Sequence, residues 1–542
     1  MRTTVLSAAA TLSLAVGLFP AVAGAATTSP TEAVSVTSDS VDWGTCASAG
    51  LAARGAECAM VEVPRNYDRP DGKKIKIAIS RIEHTVPDDE YQGVMLVNPG
   101  GPGGSGLTLS VLGEYVPKGA GRAYDWIGFD PRGVGSSEPK ISCDPDYPGA
   151  GYNRPSYVPT TQRIEDRWMA ITNAYTDACA QNQGSALLSN LKTTDNAKDM
   201  DSIRKALGQK QINYYGFSYG TYLGQVYSSM YPGKVRRMVF DGTVNPENVW
   251  YDANLEQDVA FDRNINIWFG WVAEHDDVYG LGDTRGKVRR LWYDTLADLT
   301  RAPQRASGGR IGGSEWTDAF LYAGYYQSTW TDLAEVFSGF VNRGDIDAVE
   351  SAFLDATGFG DDNGYAVYLG TECTDTSWPT SWAKWERDNS RIYADDPFET
   401  WGNAWFNEPC RHWPVSSGKP QRVDGYRVPS VLMINETLDA ATPYSGSLEV
   451  RSRYPGARLI AVPRGTTHSN SLNGNACVDD QIADYLLNGT LPRRKQGDRA
   501  DTTCAALPQP DPSPTTLRRQ AAPAAGTLPA DVRHVIQEAG AR

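Results

Sequence analysis

Long basic runs are missing from this 542-residue chain, whose formal net charge at pH 7 is -14. Without a basic patch there is no electrostatic footprint for nucleic acid or for an anionic membrane. Past the N-terminus, no stretch reaches the roughly 20 apolar residues that a bilayer span needs. None of the eight cysteines has the close pairwise spacing of a zinc knuckle, which disfavours a thiolate metal site. A glycine-rich loop lies at 98–104, but no Gly-Lys-Ser/Thr follows it, which disfavours a phosphate cradle. No internal repeat is visible. Histidine is scarce, five in all, so imidazole chemistry has few candidates.

What is present describes an ordinary globular chain: 40% of residues are hydrophobic and 21% charged. The length suits one large domain with an elaborate insertion, or two domains. The 15 Trp and 27 Tyr serve core and pocket alike. Met1-Arg2-Thr3-Thr4, an apolar stretch from Val5 to Val22 and Ala23-Gly24-Ala25 give the three-part pattern of a signal peptide over 1–25. Export is the expectation, with a retained N-terminal anchor as the alternative, and the mature protein is expected to be extracellular and free of the membrane. In an oxidising compartment the cysteines at 46, 58, 143, 179, 373, 410, 477 and 504 read as disulfides. Eight cysteines allow 105 connectivities. Their clustering favours neighbour pairs: Cys46 with Cys58, Cys143 with Cys179, Cys373 with Cys410, and Cys477 with Cys504.

Residues 26–41, rich in Thr, Ser and Ala, read as a leader or propeptide. Short β-like runs follow at Met60–Val63, Lys74–Ile82, Val94–Asn98 and Trp126–Asp130. Thr193 or Thr194 can cap a helix through Leu207, which Gly208 ends, and Gln211–Tyr215 then makes a strand running into Gly216. Further strands are expected at Val235–Phe240, Val428–Asn435 and Arg458–Val462. Strands alternating with helices imply an α/β fold with a mostly parallel central sheet covered on both faces. Residues 245–401 are Trp- and Tyr-rich with helical segments such as Val288–Leu299 and Trp330–Asn342 and no clear strand, and read as a helical cap. The core therefore comprises 42–244 and 402–505. Residues 506–542 form a Pro/Ala-rich tail that ends in a possible short helix, Ala530–Gly540.

Gly216-Phe217-Ser218-Tyr219-Gly220 stands between a predicted strand and the helix-compatible run Thr221–Met230. This pattern reads as a nucleophile elbow of the α/β-hydrolase type, which is expected to expose Ser218 on a strained turn. The serine needs a base, and the base an acid to hold its tautomer, in the chain order Ser, acid, His. That order leaves His275, His412, His468 and His534, and excludes His84. His468, in the small-residue loop Gly465–Asn470 just past a strand, is the candidate base. Asp439, in the loop after Val428–Asn435, is the candidate acid, with Glu436 and Asp241 as competitors. The oxyanion needs two backbone donors: Tyr219 N–H and an amide of Asn98-Pro99-Gly100-Gly101-Pro102-Gly103-Gly104, of which Gly101 is favoured.

Gly-Gly-Pro-Gly-Gly at 100–104, Phe129-Asp130-Pro131-Arg132-Gly133-Val134-Gly135, Gly-Phe-Ser-Tyr-Gly-Thr at 216–221, Leu438–Pro443 and the loop to His468 together resemble secreted tripeptidyl aminopeptidases of actinomycetes. That family is related to the prolyl aminopeptidases. The resemblance spans about 42–504 and implies catalytic roles for Ser218, Asp439, His468 and Gly101. The approach Asn435-Glu436-Thr437 departs from the more glycine-rich one of relatives. The implied reaction is acyl transfer with no metal or organic cofactor, on the free N-termini of peptides and proteins, probed against a secreted esterase or amidase as the competing reading. An exopeptidase must bind an α-ammonium with carboxylates. Glu274, Asp276, Asp277, Glu372 and Asp375 of the insertion are candidates, with none singled out. A monomer is assumed.

Overall fold

The structure, a computed structural model, describes residues 41–149, 151–152, 154–513 and 528–540. The expected signal peptide over 1–25 and the leader over 26–41, save Val41, lie outside them. Twelve strands occur in chain order: β1 Gly44–Thr45, β2 Glu57–Pro64, β3 Lys74–Ile82, β4 Val94–Asn98, β5 Asp125–Phe129, β6 Ile212–Phe217, β7 Val235–Asp241, β8 Gln304–Arg305, β9 Arg310–Ile311, β10 Val431–Glu436, β11 Ala457–Val462 and β12 Thr502–Thr503. Ten form one sheet in the order β1-β2-β3-β5-β4-β6-β7-β10-β11-β12. The edge from β1 through β3 to β5 is antiparallel, and from β5 onward every pairing is parallel.

The central strands are buried on both faces, β4, β6 and β10 along their whole length, which is why they read as unbroken apolar runs rather than alternating ones. One expected strand starts late. Val428–Asn435 contains Pro429, which has no N–H for a ladder, and pairing begins at Val431. The helix after Leu191 spans Thr193–Ala206, but its first amide is not satisfied by a threonine hydroxyl of its own. Asp375 of the insertion accepts both Thr193 N–H (2.7 Å) and Thr193 Oγ1–H (2.6 Å). A 22-residue helix, Gln162–Gln183, stands in a stretch where no element was expected. Cys179 on this helix is bonded to Cys143. All four bridges join sequence neighbours, Cys46–Cys58, Cys143–Cys179, Cys373–Cys410 and Cys477–Cys504.

Helices fill the chain between β7 and β10, from Tyr251–Glu274 to Thr400–Asn407, with the short hairpin β8–β9 as the exception to an all-helical insertion. Its Trp and Tyr content is explained by a core of its own, in which Trp268, Trp292, Trp316, Phe320 and Phe337 are buried against one another. Described residues after Cys504 are docked on the rest of the chain. Trp271 Nε1–H donates to Pro510 O (3.0 Å), and the helix Ala530–Gly540 buries Val532 and Ile536, with Leu528, among Leu109, Leu112 and Val116. No helix among the described residues is long and apolar enough to cross a membrane.

Candidate active site

β6 runs into Ser218, and the helix Tyr219–Met230 leaves it at once. The turn places Ser218 at φ 53°, ψ -128°, a conformation that a side-chain-bearing residue adopts only when its surroundings impose it. Here Ser218 N–H donates to Asp241 O at the end of β7 (3.0 Å), and Ser218 O accepts from Thr221 N–H (2.8 Å). The loop after β4 closes on this turn. A Cβ on Gly100 would lie 2.8 Å from Ser218 Cβ and 3.1 Å from Tyr219 N, and Gly100 has φ +107°, so only glycine lets the two loops touch. Gly101, Ser218 and Tyr219 line one small cavity of about 70 Å³. Tyr219 N–H is the first amide of its helix and belongs to the electropositive helix end, a natural place for a developing anion.

The motif at 129–135 underpins this loop from below. Asp130 accepts from Ser105 Oγ–H (2.6 Å), Gly106 N–H (3.0 Å) and Ser136 N–H (2.7 Å). Arg132, buried, grips Asp199 through two bonds of 2.7 and 2.6 Å, which ties the same turn to the helix Thr193–Ala206.

His468 and Asp439, far apart from Ser218 in sequence, arrive on the loops after β11 and β10. His468 Nδ1 is 2.9 Å from Asp439 Oδ2 and 3.1 Å from Oδ1, with both side chains buried. Asp439 also accepts from Thr442 N–H (3.0 Å) and Thr442 Oγ1–H (2.8 Å). A carboxylate fed by these donors holds the proton on Nδ1 and leaves Nε2 as the acceptor, a tautomer assigned from its hydrogen bonds. Nε2 has Ser469 Oγ at 3.3 Å. No hydrogen bond joins Ser218 to His468 among the described residues; such contacts commonly tighten only when substrate is bound.

The competing acids serve the same loop from behind. Glu436 accepts from Thr467 N–H (2.5 Å) and Asn470 Nδ2–H (2.8 Å), and burial pushes its carboxyl up to about 8. Asp241 accepts from Ser471 N–H (2.7 Å) and is pushed by burial up to about 6. Neither bonds the His468 ring. Of the other histidines, His84 is held by Asp125 (2.7 Å), His275 packs on Trp271, His412 lies near Glu408 and His534 pairs with Glu538 (2.9 Å).

The insertion roofs the cavity with Asn248, Trp250, Phe261, Tyr325, Tyr368, Glu372, Glu399 and Asn403. Glu372 is 4% exposed, and its Oε2 has no hydrogen-bond partner among the described residues. Burial pushes its carboxyl well above the usual range. Asp375 is also buried but is spent on Thr193 and on Trp250 Nε1–H (3.4 Å), and does not line the cavity. Glu274, Asp276 and Asp277 stand apart from it: Glu274 and Asp277 are exposed, and Asp276 accepts from Gly282 N–H (2.6 Å) in the turn after Tyr279. Glu399 and Asn248 were not anticipated. Nothing in their sequence neighbourhoods distinguishes them from the insertion's other polar residues, since only the packing of the chain brings them to the cavity that Ser218 lines.

Two family models match the chain, "alpha/beta hydrolase fold" over residues 93–322 and "TAP-like protein" over 396–520. The chain is 41% identical over 483 residues to the tripeptidyl aminopeptidase of Streptomyces lividans, covering 87% of this chain and 88% of that one. It is 30% identical to the serine protease Hip1 of Mycobacterium tuberculosis, over 83% of this chain and 89% of that protein. It is likewise 30% identical to a protein from the same organism named carboxylesterase B, over 81% and 85% of the two chains.

Proposed function

Since the chain belongs to the α/β-hydrolase serine peptidases of the tripeptidyl aminopeptidase family, we propose that it is a secreted exopeptidase that removes tripeptides from unblocked N-termini, with Ser218, His468 and Asp439 as its triad. The observation that carries the exopeptidase reading is Glu372, a buried carboxylate with an oxygen left unbonded in the cavity that Ser218 lines. An ionised carboxylate is costly there without a cation, and the α-ammonium of a free N-terminus supplies one. Glu399, also buried, lines the same cavity and places a second carboxyl there. Release of three residues follows the activity named for the Streptomyces relative. Export is supported by the signal-peptide pattern at 1–25 and by the four disulfides.

In this reading the amine docks at Glu372 and the scissile carbonyl lies over Ser218. His468 Nε2 takes the hydroxyl proton as Ser218 Oγ attacks, and Asp439 stabilises the imidazolium through Nδ1. The amides of Gly101 and Tyr219 hold the oxyanion. His468 returns the proton to the leaving amine, and water then cleaves the acyl-enzyme by the same steps in reverse.

The test compares tripeptidyl p-nitroanilides with free and acetylated N-termini in the wild type and in Glu372→Gln. The free substrate is expected to be preferred at least about 100-fold by the wild type, and that preference to collapse in the variant, chiefly through KM. Equal turnover of free and acetylated substrates by the wild type refutes the exopeptidase reading. The relative named carboxylesterase B supports a second reading, hydrolysis of small acyl esters by the same triad. A p-nitrophenyl ester turned over far faster than any peptide would establish it.

A further inference from the structure

The cavity beside Ser218, about 70 Å³, is far smaller than the roughly 300–1,000 Å³ of ordinary ligand pockets. A chamber of about 420 Å³ adjoins it. The boundary between them is the oxyanion loop itself: Gly101 lines the small cavity, Pro102, Gly103 and Gly104 line the chamber, and Phe406 borders both. The chamber has aromatic walls, including Tyr147, Tyr157, Trp168, Tyr365 and Trp405, the kind of surface on which a peptide chain packs. With Glu372 at the amine end of the small cavity, the chamber is the space left for the part of the peptide beyond the scissile bond.

One wall of that chamber is the end of the chain. Val535, Glu538 and Ala539 of the helix Ala530–Gly540 line it. The helix presses on the oxyanion loop so closely that a Cβ on Gly104 would sit 2.3 Å from Ala539 Cβ, and one on Gly101 would sit 3.4 Å from Ala539 O. Tyr326, whose ring packs beside His468, donates its hydroxyl to Gln537 O (3.2 Å), and Gln537 Nε2–H donates to Ser328 Oγ (3.1 Å). At the far end Asp531 pairs with Arg54 (3.0 Å).

We propose that the C-terminal helix Ala530–Gly540 is a built-in cover over the leaving-peptide side of the active site, and that its release admits longer polypeptides. An 11-residue helix is marginal alone and persists only while docked. Its apolar hold is Val532 and Ile536, with the partly buried Val535 and, just before the helix, Leu528. The stretch before it, Leu507–Pro529, has the Pro/Ala-rich composition of a linker. Local opening of such an element requires far less free energy than unfolding the core. The cover selects by substrate size: a p-nitroanilide leaving group fits beneath the docked helix, whereas a long polypeptide requires it displaced.

The proposal rests on the peptidase reading but is separable from it, because the readout is the ratio of long to short substrates and not the preference for a free amine. The full-length protein, a truncation after Ser513 and the full-length double variant Val532→Ala/Ile536→Ala are compared. Each is assayed on a tripeptidyl p-nitroanilide and on an unblocked polypeptide of about 30 residues. The ratio of kcat/KM, long over short, is expected to rise about tenfold or more on truncation and by a smaller factor in the double variant, with the short substrate changed less than about twofold. If truncation leaves little folded protein, the double variant, which keeps the whole chain, decides. An unchanged ratio overturns the proposal. So does a parallel loss on both substrates, which would make the helix a buttress of the oxyanion loop instead.

Discussion

The backbone N–H of His468 donates to the carbonyl of Tyr325 (2.9 Å), and the Tyr325 ring stands edge-on to the imidazole, centroids 6.0 Å apart. His468, the proposed base, is thus held by a backbone bond and a ring contact from the insertion. Tyr325→Ala keeps the peptide bond but removes the ring that backs it and packs on Phe261. We expect kcat to fall on the order of 10- to 100-fold with KM less affected, since small misplacement of a base is costly. Steady-state kinetics, with the near-ultraviolet circular dichroism as a check on packing, reads this.

Three acids surround the His468 loop, and only Asp439 bonds its ring. Asp439→Asn is expected to lower kcat by about 10³–10⁴ because an amide can hold the wrong tautomer. Glu436→Gln, which acts through Thr467 and Asn470, is expected to cost less than about tenfold. Comparable losses in the two variants would move the acid's role away from Asp439.

Gly100→Ala places a methyl 2.8 Å from Ser218 Cβ at a backbone angle that alanine avoids. The loop after β4 must then withdraw from the elbow. A loss of about 10²-fold or more in kcat is expected, at nearly unchanged KM and with the fold retained. Full activity would show that the loop does not work in contact with Ser218.

Burial raises the folded-state pKa of Glu436 to about 8, of Asp241 to about 6 and of Asp479 to about 7. An acid whose folded pKa exceeds its unfolded one binds the proton more tightly in the native state. Stability therefore declines as pH rises from about the unfolded pKa to the folded value, by at most about 1.4 kcal/mol per pH unit for each group. The Tm is expected to fall between pH 5 and pH 8. Glu436→Gln, which has no proton to lose, is expected to flatten that decline above pH 6. A Tm that rises over this interval, or a slope unchanged by the variant, contradicts these assignments.

The residues legible in the sequence were those whose placement follows from local chain chemistry. The elbow at 216–220 needs glycines beside a serine, and the proposed acid and base sit on loops that end apolar runs, so the turn at Ser218 and the pairing of Asp439 with His468 were visible along the chain. Close sequence spacing pointed to the bridge partners for a similar reason. What escaped depends on packing between distant segments. Thr193 is capped by Asp375, 182 residues away, and Glu372 differs from Glu274 only in where its helix lies. The C-terminal helix was visible as a helix, whereas its docking against Gly104 was not, because nothing in Ala530–Gly540 specifies the surface that receives Val532 and Ile536.

The most direct test of the exopeptidase account is mass spectrometry of the products released over time from one unblocked peptide of about 12 residues and from its acetylated twin. The account predicts that the first product is the N-terminal tripeptide, that the remainder shortens in steps of three, and that the acetylated twin stays intact. Internal fragments at early times, or equal cleavage of the twin, would contradict it.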